Sequence, residues 1–140
     1  MKTLKTLIKL AKQDLDEKRQ ELNVFLDKKD ELLKQRSDLD KRLAEEQEFA
    51  TDSEEFKYAY TAFSAKIAWQ QENIDNFTKA LDEQIDFVSE KISEGFAELK
   101  RYEIMLDKKM RDEQKELQRK ETIEMDEIGM VAHGRKEENA

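Results

Sequence analysis

The apolar residues in the first third of the chain keep to one alternating four-three register. Leu4, Ile8, Ala11, Leu15, Leu22, Phe25, Leu32, Leu39 and Leu43 occupy it, and only Lys18, Lys29 and Arg36 interrupt it, so nine of its twelve positions are apolar. A mean step of 3.5 residues holds one stripe of an α-helix against a partner helix. The register ends after Leu43, and the next break signal lies around residues 45–56. There Thr51 and Glu54 have capping-box spacing, with Asp52 and Ser53 as alternative N-caps. Acidic residues fill the following turn, where the helix dipole favours them. The pattern predicts helix 1 over about 3–49, a turn at about 50–53 and helix 2 over about 54–128.

Helix 2 carries its own seam: Phe56, Tyr60, Phe63, Ile67, Gln70, Ile74, Phe77 and Leu81. Ile85, Val88, Ile92, Phe96 and Leu99 extend it only if two steps of three become four, which are stutters that relax a left-handed supercoil. A short connection between amphipathic helices brings them back antiparallel, with residue i near 103 − i. The expected fold is all-α, a two-helix antiparallel coiled-coil hairpin with a longer second helix, forming one domain over 1–129. From about residue 103, helix 2 outruns its mate by roughly 35–40 Å. This overhang still carries Ile104, Leu106, Met110, Leu117, Ile123, Met125 and Ile128, apolar side chains that call for another surface. Gly129, Gly134 and the polar end read as a helix stop and a flexible tail over 130–140.

Composition agrees with a rod and argues against a globular enzyme. Charged residues make up 43% of the 140 positions and hydrophobic ones 37%, with no Pro, no Cys and three Gly. Disulfides and thiolate metal sites are excluded. No run approaches the roughly 20 apolar residues of a membrane span, and the amphipathic start lacks the apolar core of a signal peptide, so a soluble, cytoplasmic protein is expected. The net charge of −8 is concentrated in the middle: residues 51–100 hold 5 basic and 11 acidic side chains, whereas residues 1–50 hold 12 of each. Such a middle repels phosphate backbones, so nucleic acid is not an expected partner.

Candidate chemistry is sparse. The sole histidine, His133, lies near the end between two glycines; Asp27-Lys28-Lys29-Asp30 lacks the glycine and spacing of a calcium loop; no Glu-x-x-His or Gly-rich phosphate loop occurs. No catalytic residue, cofactor, metal ligand or small-molecule substrate is therefore expected, and the carboxylates are expected to form a solvated helix face. Lys18, Lys29 and Arg36 are expected to set register by pairing with acids of helix 2 such as Glu83 and Asp75. Tyr58 and Trp69 fall off the seam, toward water, near an acidic hairpin tip. Tyr and Trp are favoured in partner contacts.

In these features the chain resembles the flagellar export protein FliJ family along nearly its full length. The resemblance begins with Leu4-Lys5-Thr6-Leu7-Ile8-Lys9-Leu10-Ala11 and continues through the aromatic start of helix 2, Phe56, Tyr60 and Phe63, with Ile67 and Gln70. It closes with Met125-Asp126-Glu127-Ile128-Gly129 and the basic pair Arg135-Lys136, its most specific element. It implies a coiled-coil hairpin similar to the central stalk of rotary ATPases, working in flagellar type III export at the cytoplasmic face of the inner membrane. The implied partners are a hexameric export ATPase, the export-gate membrane protein and export chaperones; separately, the apolar overhang leaves open a homodimer at high concentration. The ATPase contact would use Met110, Arg111, Leu117, Arg119, Ile123, Met125, Glu127 and Ile128. The gate contact would use Tyr58, Tyr60, Phe63, Ile67 and Trp69. The equivalent stalk of a virulence injectisome and a holdase-type chaperone are the alternatives.

Overall fold

A computed structural model describes residues 1–50 and 53–138. Two α-helices, α1 (Lys2–Phe49) and α2 (Glu54–Glu138), make up nearly all of it, and no strand occurs among the described residues. The ends of α2 follow local chemistry. Ser53 Oγ accepts a hydrogen bond from the Phe56 amide at 3.2 Å, which makes Ser53 the N-cap of α2. Glu54 and Glu55 sit in the first turn and Arg135 and Lys136 in the last, each complementing the dipole at its end. Thr51 and Asp52, the other cap candidates, lie outside the described residues, as do the middle of the predicted turn and Asn139 and Ala140 of the predicted tail.

α2 ends ten residues later than the sequence reading placed it. Gly129 and Gly134 are both inside the helix, and no glycine has a positive φ, so neither forms the left-handed cap that would stop it.

Two compact units divide the chain, and both helices contribute to each. The first comprises Asp14–Gly95. In it Lys29 Nζ lies 2.6 Å from Asp82, Arg36 Nε 2.7 Å from Asp75, and Gln71 hydrogen-bonds Asp40. Partner numbers fall in α2 as they rise in α1, so the helices run antiparallel. All three pairs obey i opposite 111 − i, and not 103 − i as expected. Two geometric facts account for the shift. Side chains lean toward the N-terminus of their own helix, so on antiparallel helices contacts join residues beyond backbone level. In addition, Phe56 is exposed and Tyr60 is the first sheltered residue within α2, so the first turn of α2 precedes pairing.

The seam of α1 is the predicted one: its twelve positions are the only residues of that helix that are buried or half-buried. The seam of α2 differs. In this unit it runs Tyr60, Phe63, Ile67, Gln70, Ile74, Thr78, Leu81, Ile85, Val88, Ile92 and Gly95, with one stutter at Gln70–Ile74–Thr78 in place of two. Phe77 is 64% exposed. Register, set by the branched aliphatic residues on either side, decides which residue faces the partner helix, and side-chain size does not. Glycine at 95 makes room for Leu15, which is 2% exposed.

The second unit comprises Met1–Gln13 and the segment from Phe96 onward. Leu4, Ile8 and Ala11 are half-buried, as are Tyr102, Glu103 and Leu106, and Leu99 is buried. Phe96, predicted as a seam residue, is 45% exposed, with Lys100 Nζ 5.7 Å from its ring centre. From Asp107 to His133 every residue of α2 is exposed.

Candidate interaction surfaces

The cationic seam positions show how charge is used along the hairpin. Arg36 donates from Nε and Nη2 to the two carboxylate oxygens of Asp75, a fork geometry that fixes orientation as well as distance. That hydrogen bond holds the Asp75 carboxyl below its ordinary range and raises the Arg36 guanidinium. Lys29 reaches Asp82, another acid of α2, whereas Lys18 turns back to Asp14 on its own helix at 2.6 Å and does not pair across the hairpin.

The predicted tip patch separates into two kinds of residue. Tyr58 is 82% exposed and Trp69 64%, so both present aromatic surface to solvent. Ile67 is 1% exposed and belongs to the seam, and Tyr60 and Phe63 are half-buried there. Arg42 lies over the Phe63 ring at 5.7 Å. Two exposed aromatics outside the predicted set, Phe49 and Phe56, line a groove with Glu46, Ala50, Ala59, Tyr60 and Phe63. Their position at the facing ends of the two helices was the available signal, because a residue in a terminal turn has no further turn of the partner helix beyond it to cover it.

On the extension of α2, Met110, Leu117, Ile123, Met125 and Ile128 are all exposed. At about 100° per residue, Met110, Leu117 and Ile128 share a stripe that continues the seam from Leu106, whereas Met125 and Ile123 lie on opposite flanks of it, about 70° and about 130° away. The geometry thus brings three of the five together. Met130 and Val131 are also exposed and apolar, and Val131 joins the same stripe; reading Gly129 as a helix stop hid them. Glu127 and Ile128 line a shallow groove with Glu124, Val131, Ala132 and Arg135. Arg119 is engaged with Glu116 through two hydrogen bonds of 2.6 and 3.1 Å, which lower the Glu116 pKa and raise that of Arg119. His133 meets Glu137 one turn on, at 3.1 Å. Among the described residues no cluster of three or more His, Asp or Glu is arranged to hold a metal ion, and no helix is long and apolar enough to cross a membrane.

A family model described as flagellar FliJ protein matches residues 1–138 of the 140. The chain belongs to the FliJ family. No curated protein and no solved structure matches it. Membership makes it a flagellar protein associated with type III protein export, and the two-helix coiled coil is the scaffold on which that role is carried.

Proposed function

We propose that this FliJ-family chain is a non-enzymatic, cytoplasmic stalk that couples a hexameric export ATPase to the export gate and to export chaperones. The observation that carries the reading is the solvent-exposed extension from Asp107 to His133, with apolar residues still at helical spacing. A helix face of this kind, continuing a seam whose partner helix has ended, supports insertion into a ring or groove of another protein. Met110, Leu117 and Ile128 are the apolar contacts, with Met125 and Ile123 engaging flanking walls of the ring. Arg111, Arg119 and Glu127 supply charge. Methionine suits a contact that must adapt while the ring changes shape. In the unit formed by Asp14–Gly95, Tyr58 and Trp69 meet the gate, and Tyr60, Phe63 and Ile67 hold the helix that presents them. On this reading the protein works at the cytoplasmic face of the inner membrane, at the flagellar base.

Deleting residues 107–140 tests the assignment. The truncated protein is expected to keep its hairpin helicity by circular dichroism and to lose co-purification with the export ATPase. Undiminished capture of the ATPase by the truncated chain would refute it.

A further inference from the structure

The exposed extension of α2 is electrically polarised. Residues 108–120 contain six Lys or Arg and three acidic residues, whereas residues 121–133 contain four acidic residues and no Lys or Arg. Within 108–120 the only ion pair is Arg119 with Glu116, and Glu121, Glu124, Asp126 and Glu127 make none. A basic block and an acidic block of equal length therefore stand side by side on one helix, both largely unneutralised, along an uncovered apolar stripe. A single helix cannot fold its own halves together. A second copy can.

We propose that in free solution a second copy of this chain covers this stripe, the two extensions running antiparallel with residues 108–120 of each against residues 121–133 of the other. In that register Met110 faces Val131 of the partner subunit, and Leu117 faces the partner's Glu124 across the centre. Each basic block then meets the partner's acidic block, so the same contact occurs twice, once on either side of the two-fold axis. A parallel pair would oppose lysines to lysines and Glu124 to its own copy, at an electrostatic cost. Shifting the antiparallel register by one turn either way also reduces the overlap of unlike charge. The stripe is the one that contacts the ATPase in the function proposed above, so dimer and ATPase complex exclude each other; that consequence rests on the earlier reading, and the dimer does not.

Sedimentation of the full-length protein, with the ATPase absent, is the test. The wild type is expected to dimerise at low salt and to dissociate as salt rises. E121K/E124K and K115E/K120E should each self-associate on the order of a hundredfold more weakly, since the two-fold axis counts every substitution twice, and an equimolar mixture of the two should recover the dimer. Orientation is read by disulfide trapping, which the natural absence of cysteine makes clean. M110C mixed with V131C is expected to cross-link, and neither should do so alone. A monomer at every concentration, or efficient cross-linking of M110C to itself, overturns the proposal. Capture of the ATPase by the 107–140 deletion would refute the stalk reading and leave these results standing.

Discussion

A Cβ placed on Gly95 would lie 3.0 Å from Leu15 Cδ2, across the interface between the two helices. Leu15 is thus a knob whose hole is floored by a glycine, and this contact fixes which turn of α2 it meets. Alanine at 95 gains about 0.8–1 kcal/mol of helix propensity but must push Leu15 aside by a few tenths of an ångström. The two effects should nearly cancel in G95A. In an L15A background, itself costing about 2–4 kcal/mol, the same change should stabilise by close to the full propensity. Urea unfolding of the four proteins measures the coupling, and equal effects of G95A in both backgrounds would show that the contact carries no strain.

Thr78 occupies the stutter position, and its buried hydroxyl oxygen has no hydrogen-bond partner. A desolvated, unsatisfied hydroxyl costs roughly 1–3 kcal/mol, and valine has nearly its shape. T78V is expected to raise stability by about 1 kcal/mol in urea titration. A loss of stability would mean that the hydroxyl is satisfied in solution.

The fork between Arg36 and Asp75 gives the hairpin an acid limit. Because the hydrogen bond from Arg36 depresses the Asp75 pKa, folding gains from the ionised carboxylate at all pH above its ordinary value of about 4. The gain disappears as pH falls through the depressed value. D75N should unfold at lower urea than wild type near neutrality, and the two midpoints should converge below about pH 4. Midpoints separated by a constant amount down to strong acid would count against the linkage.

Ile67 and Trp69 stand two residues apart and answer to different selection. The isoleucine is sealed in the seam, so I67A should cost about 2–4 kcal/mol. The tryptophan faces water, and W69A should change stability by no more than about 0.5 kcal/mol. If the tip engages the gate, W69A and Y58A weaken binding to the gate's cytoplasmic domain while their unfolding curves overlay the wild type. Loss of stability in W69A would make that residue structural.

These contrasts show what the sequence could and could not reveal. The seam of α1 was legible because it keeps one unbroken four-three register, so period and burial coincide even though Leu7, Leu10, Val24, Leu26, Leu33 and Phe49 lie off it and are exposed. α2 has aromatics on several faces, among them Tyr58, Trp69, Phe77 and Phe96, and a reading that follows bulk is drawn off the register at Phe77 and again at Phe96. Thr78 and Gly95, the true seam residues, carry no hydrophobic signal of their own. Gly129 misled in the same manner: glycine is a poor helix residue, yet the helix continues to Glu138, with Arg135 and Lys136 set against its C-terminal dipole. The interaction surfaces were legible as composition but not as geometry, since exposed apolar residues at 110, 117, 123, 125 and 128 do not all face one way.

The extension of α2 makes a last, kinetic prediction. Residues 60–99 are held by cross-helix packing, whereas from Asp107 to His133 no side chain is sheltered. An unpartnered helix keeps its hydrogen bonds only by propensity and neighbouring charge pairs such as Glu116–Arg119, which contribute tenths of a kcal/mol each. Its amides should therefore exchange through local opening, while those of the hairpin require sub-global or global opening. In dilute, high-salt solution, hydrogen exchange is expected to show a sharp drop in protection just past Leu106. Adding the ATPase, or raising protein concentration at low salt, should extend protection toward Glu138. Protection that already runs uniformly through the extension in the dilute monomer would mean that this segment is stable alone and needs no partner to cover it.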